Sequence, residues 1–217
     1  MNLLGRTVEK TGNREPIKRI VRKGTGVKMD RENVKPDFNA DFKEECLTRE
    51  DIFKGRIFSV HVDRVRLPDG SESVREVAEH GGGVGVLALD ENQNVYVVTQ
   101  YRYVFGRDLT EIPAGKLDPG EDPRAAGLRE LHEETGIVPD QFESLGKILP
   151  SPGCYTEVLY LYLARGLHMQ DQRLDPGEFL RVEKIPFQEI FRRCMSGEIE
   201  DAKTVTAILK AKILLNL

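Results

Sequence analysis

The chain has 217 residues, 32 Lys and Arg against 36 Asp and Glu, a net charge of −4 and a hydrophobic fraction of 39%. This length predicts one domain with or without an appended arm, and the apolar content excludes a wholly disordered chain. The sequence has no apolar run of the roughly 18 residues that a membrane span needs, no signal-peptide core at its beginning, and only three widely spaced cysteines. We therefore expect a cytoplasmic protein, and its mild acidity argues against a general nucleic-acid binder.

The charge is unevenly distributed along the chain. Residues 1–42 hold ten basic and six acidic residues, a charge of +4, so residues 43–217 carry −8. The first segment also has few apolar residues and no clear period, which predicts a basic, partly ordered N-terminal extension. A more specific alternative is that this extension contacts a partner or an RNA.

The next segment, residues 43–80, is predicted as an N-terminal β region. A β-like run over 57–67 leads into a Pro68-Asp69-Gly70 turn, and 74–77 is the return strand. The remaining predicted elements, in chain order, are strands at 84–89, 95–99 and 109–112, a helix at 122–135, strands at 157–164 and 179–185, and helices at 187–196 and 201–216. This order indicates an α+β protein, because strands and helices do not alternate regularly.

The helix predicted at 122–135 carries the densest acidic feature of the chain. Asp122 can cap its N-terminus and Gly136 can end it. Glu130 and Glu134 are four residues apart and share one face, with Glu133 beside them. Like charges at this spacing destabilise a bare helix, whereas a divalent cation bound there would explain them. Oxygen ligands alone favour Mg²⁺ or Mn²⁺.

The loop before this helix and the residues around the glutamates complete a longer pattern. Arg129 can pair with Glu133, and Gly115 and Gly120 would let the loop backbone approach a metal or phosphates. An ordinary solvated helix would explain a bare glutamate pair, but not these glycines and Glu121 at their spacings. The full pattern is Gly115, five residues, Glu121, seven residues, Arg129-Glu130-Leu131, one residue, Glu133-Glu134, one residue, Gly136-Ile137. It resembles the Nudix box at every defined position.

Resemblance to the Nudix hydrolases implies an α/β/α sandwich around a mixed sheet. It also implies hydrolysis of a nucleoside diphosphate linked to another group, with Mg²⁺ or Mn²⁺ as cofactor. By position in the box, Glu130 and Glu134 would be metal ligands, and Glu133 a further ligand or a member of the same catalytic network. Arg129 would orient the glutamates, and the carbonyl of Ala114 would also face the metal.

Segments on both sides of the box resemble the ADP-ribose pyrophosphatase branch of this family, over about residues 44–212. They are Arg75-Glu76, His80, Gln100-Tyr101-Arg102, Glu111-Ile112-Pro113-Ala114-Gly115, Ser151-Pro152-Gly153, Glu157 and Asp201-Ala202-Lys203-Thr204. The resemblance implies that Arg75 and Arg102 bind the pyrophosphate, since guanidinium forks suit phosphate oxygens. Glu76 and Glu111 would bind the adenosine end or link it to the scaffold, and Glu157 would be the general base. The alternative for the two arginines is that each forms a surface ion pair. The alternative for Glu157 is that it is an exposed acid at a strand edge.

We therefore expect Mg²⁺-dependent hydrolysis of ADP-ribose or related ADP-sugars to AMP and ribose 5-phosphate by a Nudix domain at 81–217. Relatives in this branch are commonly homodimers whose N-terminal strands cross between subunits, a role open to residues 43–80. The alternatives are a broader nucleotide-sugar pyrophosphatase, for instance on GDP-mannose, a non-catalytic ADP-ribose-binding module, and an RNA-end-processing enzyme. One departure from many relatives, the run Gly81-Gly82-Gly83, predicts a loose entry into the following strand.

Overall fold

The computed structural model describes residues 41–217, so the predicted extension at 1–42 lies outside the described residues except for its last two positions. The described part begins with an antiparallel sheet in which β1 (Glu45–Lys54) pairs with β2 (Phe58–Arg66), and β2 with β3 (Glu72–His80). The turn between β2 and β3 is the predicted one, and Gly70 adopts the left-handed φ of 83° in it.

A second, mixed sheet holds the other strands. Their bounds are β4 (Gly83–Leu89), β5 (Asn94–Arg102), β6 (Arg107–Glu111), β7 (Ala114–Lys116), β8 (Ile137–Ile148), β9 (Leu159–Met169) and β10 (Leu180–Pro186). The strand order is β10-β5-β4-β9-β8, with β6 paired to β5 and β7 to β4. Only the β4–β9 pair is parallel.

Within residues 41–217, three helices cover both faces of the mixed sheet. They are α1 (Pro123–Thr135), α2 (Phe187–Met195) and α3 (Ala202–Leu214). Alternate residues of β4 point to opposite faces: Val84 and Val86 pack in the core that contains residues of α1, and Leu87 and Leu89 pack in the core that contains α2 and α3. A strand buried on both faces is apolar throughout, as β4 is. The chain is therefore an α/β/α sandwich, as expected.

The helix that carries the acidic cluster begins and ends where the sequence predicted. The Asp122 side chain accepts a hydrogen bond from the backbone N–H of Ala125, and Gly136 ends the helix with a φ of 73°. The same capping recurs at α3, where Asp201 accepts a hydrogen bond from the backbone N–H of Thr204. Capping side chains thus fix the two helix N-termini near the candidate site.

Several features differ from the expectations. Strands β1, β7 and β8 are not among the predicted elements. The prediction of a loose strand entry at Gly81-Gly82-Gly83 is wrong, because the Gly83 N–H donates to Val158 O at 3.0 Å and the Leu117 N–H to Gly82 O at 3.2 Å. A Cβ at Gly83 would lie 2.8 Å from Gly115 O, so this glycine permits a close approach of two backbones.

Within residues 41–217, no helix has the length and apolar character needed to cross a bilayer.

Candidate active site

Arg129 organises the acidic residues of α1 and of the loop before it. Its Nε and Nη2 donate to the two oxygens of Glu121, both at 2.9 Å. Its Nη1 donates to Glu130 Oε1 and to Glu133 Oε2, also at 2.9 Å. The hydrogen bonds from Arg129 lower the pKa of Glu121 to about 2. Arg129 therefore holds three carboxylates in fixed positions, which is the orienting geometry that the sequence predicted.

Glu134 is the most buried of the box carboxylates, with no exposed surface. Its Oε2 accepts a hydrogen bond of 2.8 Å from the backbone N–H of Ala114, while Oε1 has no partner among the described residues. Burial, and then the charges of Glu178 and Glu130, raise the pKa of Glu134 to about 8. An unpartnered, buried carboxylate oxygen is costly, and a cation placed there would relieve that cost.

Glu130 lies against the glycine that opens the box. A Cβ at Gly115 would lie 1.9 Å from Glu130 Cδ, so only glycine leaves room for this carboxylate. Burial raises the pKa of Glu130 as well. Two neighbouring acids whose pKa values are raised fit a divalent cation as their charge partner. In the part of the chain that the structure describes, however, no three acidic, His or Cys side chains already converge as a ligand set.

A cavity of about 750 Å³ opens beside these residues, a size suited to a small-molecule ligand. The residues that line it include six from the sequence prediction or its immediate neighbourhood: Arg102, Glu111, Ala114, Gly115, Glu130 and Glu157. Its remaining wall is partly apolar, with Ile57, Val104, Phe105 and Leu109. The cavity thus combines a cationic group, several carboxylates and an apolar side, which matches a ligand with anionic and aromatic parts.

Arg102 enters the cavity as part of a buried ion-pair network. Its Nε and Nη2 donate to the two oxygens of Glu111 at 2.6 and 2.7 Å, and Lys203 Nζ donates to Glu111 Oε2. Glu111 is 2% exposed. Burial alone would raise its pKa, but the hydrogen bond from Arg102 and the charge of Lys203 hold the pKa below its usual value. Glu111 is therefore an ionised, buried carboxylate that fixes the orientation of Arg102.

Glu157, the predicted base, lies at the cavity next to His80. Its Oε1 is 3.5 Å from His80 Nδ1, and its side chain is partly exposed. The backbone N–H of Gly82 donates to the same His80 nitrogen at 3.0 Å, which fixes the ring. The sequence reasoning missed a second acid at the cavity, Glu178, whose charge raises the pKa of both Glu130 and Glu134. In the sequence, Glu178 is distinguished only as an acidic residue in a Pro-Gly turn before β10, and this does not indicate a site.

The other two predicted binding residues, Arg75 and Glu76, do not line this cavity in the single chain. Arg75 Nε donates to Glu44 Oε2 at 2.8 Å, and this hydrogen bond raises the pKa of Arg75. Glu76 follows Arg75 on β3 and is exposed on the opposite face. Their roles in substrate binding stay predictions.

Comparisons with known proteins match two domain families and several named relatives. Residues 79–207 match the NUDIX domain, and residues 44–78 match the nucleoside diphosphate sugar hydrolase N-terminal domain. The methanol dehydrogenase activator of Bacillus methanolicus is 40% identical over 77% of this chain and 91% of that protein. The ADP-ribose pyrophosphatase of Bacillus subtilis (strain 168) is 36% identical over 76% of this chain and 91% of that protein. The GDP-mannose pyrophosphatase of Yersinia pestis (strain Pestoides F) is 32% identical over 65% of this chain and 76% of its own length.

One solved structure supports the fold. The crystal structure of an ADP compounds hydrolase superposes with a TM-score of 0.72 at 21% identity, over 80% of this chain and 95% of that one. At this identity the likeness shows the shared fold. The expected α+β sandwich with a mixed sheet and an antiparallel N-terminal β region is thereby confirmed.

Proposed function

The chain belongs to the Nudix family of hydrolases, and from this premise we propose that it cleaves the pyrophosphate of ADP-ribose or related ADP-sugars, giving AMP and ribose 5-phosphate. One observation carries the proposal: Glu130 and Glu133, held by Arg129, and Glu134, held by the Ala114 N–H, lie beside a cavity into which Arg102 is fixed. A guanidinium next to a cation-seeking carboxylate cluster suits a pyrophosphate, because both neutralise its negative oxygens.

Nudix hydrolases generally need a divalent metal ion, and we propose Mg²⁺ or Mn²⁺ here. Glu130 and Glu134 would hold the ion, with Glu133 and the carbonyl of Ala114 as further ligands. When bound, such an ion supplies positive charge that polarises the phosphorus and makes a water molecule easier to deprotonate. The buried Oε1 of Glu134, which has no hydrogen-bond partner among residues 41–217, supports this choice of ligand.

The chain's own side chains divide the remaining tasks. Arg102 would bind a phosphoryl oxygen, and Glu111 keeps it pointed at the cavity through two hydrogen bonds. Glu157 would accept a proton from the attacking water, since it lines the same cavity as Glu130. Glu178 lines the same cavity and is the competing candidate for this proton.

A broader nucleotide-sugar pyrophosphatase is the second candidate function. Its support is the relative named GDP-mannose pyrophosphatase, which is 32% identical. The box does not distinguish these substrates, because the base and the sugar would contact residues outside it. A non-catalytic ADP-ribose-binding module is disfavoured, since Glu130, Glu133 and Glu134 are all present. An RNA-directed role would depend on residues 1–42, which lie mainly outside the described residues.

We also propose a homodimer built through residues 43–80, with the catalytic Nudix domain at 81–217. The supporting observation is a group of exposed apolar side chains in this region: Ile52, Phe53, Ile57, Phe58 and Val74. Such side chains on a sheet favour burial against a second protein surface. A cytoplasmic location stays a prediction from the free cysteines of the sequence.

A substrate comparison tests the proposal. The values of kcat/KM for ADP-ribose, other ADP-sugars and GDP-mannose should be measured with Mg²⁺, and we expect the ADP compounds to be preferred. Preference for GDP-mannose would favour the second candidate, and cleavage of neither class would contradict both. Glu157→Gln and Glu178→Gln, compared over a range of pH, assign the base, because the true base variant loses kcat by roughly 100-fold or more.

A further inference from the structure

The segment Asp201-Ala202-Lys203-Thr204 begins α3 at the wall of the cavity, and no step of the proposed reaction uses it. Asp201, Ala202 and Lys203 all line the cavity. Lys203 is only 7% exposed, which is rare for a lysine without charged partners. Its Nζ donates to Asp201 Oδ1 at 2.9 Å and also to Glu111 Oε2. A buried ammonium between two carboxylates of different elements requires an explanation.

The surrounding structure is built to hold this lysine in place. A Cβ added at Gly85 of β4 would lie 3.2 Å from Ile112 Cδ1, 3.3 Å from Leu161 Cδ2 and 3.4 Å from Lys203 Cδ, so the lysine stem packs closely against this glycine and its neighbours. Thr204, fully buried, donates through Oγ1 to Asp201 Oδ2 at 2.5 Å and accepts from the Ile112 N–H at 2.9 Å. These bonds join the start of α3 to the residue that follows Glu111.

Through Glu111, the ammonium of Lys203 reaches Arg102. Arg102 uses Nε and Nη2 on Glu111, and its Nη1 makes no hydrogen bond to any side chain or backbone group in the described part of the chain. The network contains two cations, Arg102 and Lys203, and two anions, Glu111 and Asp201. Without Lys203 the same residues would carry a net negative charge next to the place where an anionic pyrophosphate has to bind.

We propose that Lys203 is a positioning residue of the substrate site: it balances the charge of Glu111, so that the Arg102 guanidinium keeps its orientation and the network presents no net negative charge to a phosphoryl oxygen. This inference rests on the proposed function for the identity of the ligand. It assigns to the Asp201–Thr204 segment a role in phosphate affinity, exerted through two intervening side chains, and no direct contact with the substrate.

The test compares Lys203→Met with Lys210→Met, a matched control on the same helix whose Nζ bonds to Leu145 O instead of to the network. For Lys203→Met we expect KM for ADP-ribose to rise roughly tenfold or more, the factor associated with one charged hydrogen bond, while kcat stays within about threefold of wild type. Lys210→Met should leave both constants unchanged. An unchanged KM in folded Lys203→Met would overturn the inference, and so would a loss confined to kcat.

The double variant Glu111→Gln/Lys203→Met separates positioning from mere structural support. It removes both members of the buried Glu111–Lys203 pair, so Glu111 is not left as a buried carboxylate with one cationic partner fewer. If Lys203 acts by neutralising Glu111, the double variant should have a KM at least about threefold lower than Lys203→Met. If Lys203 only supports the fold, the second substitution should add its own loss and the double variant should be worse than Lys203→Met.

Failure of the proposed function is distinguishable from failure of this inference. Wild-type protein that cleaves no ADP-sugar would contradict the proposed function alone. In that case the same four proteins are compared by the calorimetric Kd for ADP-ribose in the absence of divalent metal, where the expected order is unchanged. Equal Kd values for wild type and Lys203→Met, or no binding by wild type, would overturn the assignment of Lys203.

Discussion

The antiparallel sheet of β1–β3 and the α/β/α sandwich that follows it are stabilised in different ways. In the sandwich, large side chains such as Leu87, Leu161 and Ile208 have no exposed surface. In the sheet, the buried side chains are His61, Asp63 and Val65, while Phe53 is 53% exposed. The sandwich therefore contains its own core, whereas the sheet leaves much of its apolar surface uncovered.

Polar contacts do not make up this difference. Arg49 donates to both oxygens of Asp63 at 2.9 and 3.0 Å, and Arg66 pairs with Glu45 at 2.7 Å, but the arginines are largely exposed. Exposed ion pairs contribute little to stability. The sheet is tied to the sandwich by backbone bonds, from the Ala78 N–H to Cys154 O at 2.8 Å and from the Thr156 N–H to Ala78 O at 3.0 Å. The comparison indicates that the sandwich supplies most of the buried core, and the uncovered apolar surface of the sheet supports the proposed homodimer.

The largest expected effect is on the sandwich. Leu161→Ala removes a fully buried side chain of the central parallel pair and should lower the free energy of unfolding by about 2–5 kcal/mol. Phe53→Ala in the sheet, measured in the same urea titration at low protein concentration, should cost much less. Equal losses for the two variants would contradict the contrast between the regions.

Next comes a pH-dependent effect inside the sandwich. The raised pKa of Glu134, about 8, means that the group stabilises the fold below its usual pKa of 4.5 and that this contribution is lost as the pH rises through 8. In metal-free protein, Glu134→Gln should therefore raise Tm at pH 9 by at least about 2 °C relative to wild type, with the gain vanishing near pH 4.5. A gain in Tm that increased toward acidic pH would contradict the raised pKa of Glu134.

A smaller effect on stability, but a clear one on assembly, is expected from the sheet. Phe53→Asp places a charge in the exposed apolar group and should shift the proposed homodimer toward monomer in sedimentation experiments. Val138→Asp, an exposed apolar position on β8 of the sandwich, is the matched control and should sediment as wild type does. A wild-type protein that is monomeric at every concentration would remove the dimer proposal.

The smallest effect should come from the ion pairs of the sheet. Arg66→Met removes the pair with Glu45, yet it should leave the urea midpoint within experimental error, because both side chains are exposed and solvent already screens their charges. A large destabilisation would show that the sheet depends on its charge network.

The sequence predicts an element best when the residues that determine it are close together in the chain. The sequence predicts the bounds of helix α1 to within one residue, because the cap at Asp122 and the end at Gly136 each depend on the adjacent helical turn alone. The shared face of the box glutamates follows from helical spacing. Strands β1 and β8 were missed because both are edge strands, rich in polar residues, and β8 contains Pro139 and a bulge between Ser144 and Gly146. Edge strands lack the continuous apolar pattern that identified β4.

The site was predictable to the extent that its residues lie in one motif. The contacts of Arg129 with Glu130 and Glu133 span four positions at most, and the sequence indicated them. The bond from Lys203 to Glu111 joins residues 92 positions apart and arises only when α3 packs against the sheet. Glu178 likewise reaches the acidic cluster through tertiary structure alone, and the cavity leaves Arg75 and Glu76 outside in the single chain.

The most direct test of the central claim is AMP release from ADP-ribose with Mg²⁺ by wild type, Glu134→Gln and Glu189→Gln. Glu189 is a helix glutamate outside the cavity, paired with Arg192 and Arg193, so its variant is the matched control. We expect wild type and Glu189→Gln to form AMP and ribose 5-phosphate at the same rate, and Glu134→Gln to be slower by roughly 100-fold or more. Near wild-type AMP formation by Glu134→Gln would contradict the assignment of the site.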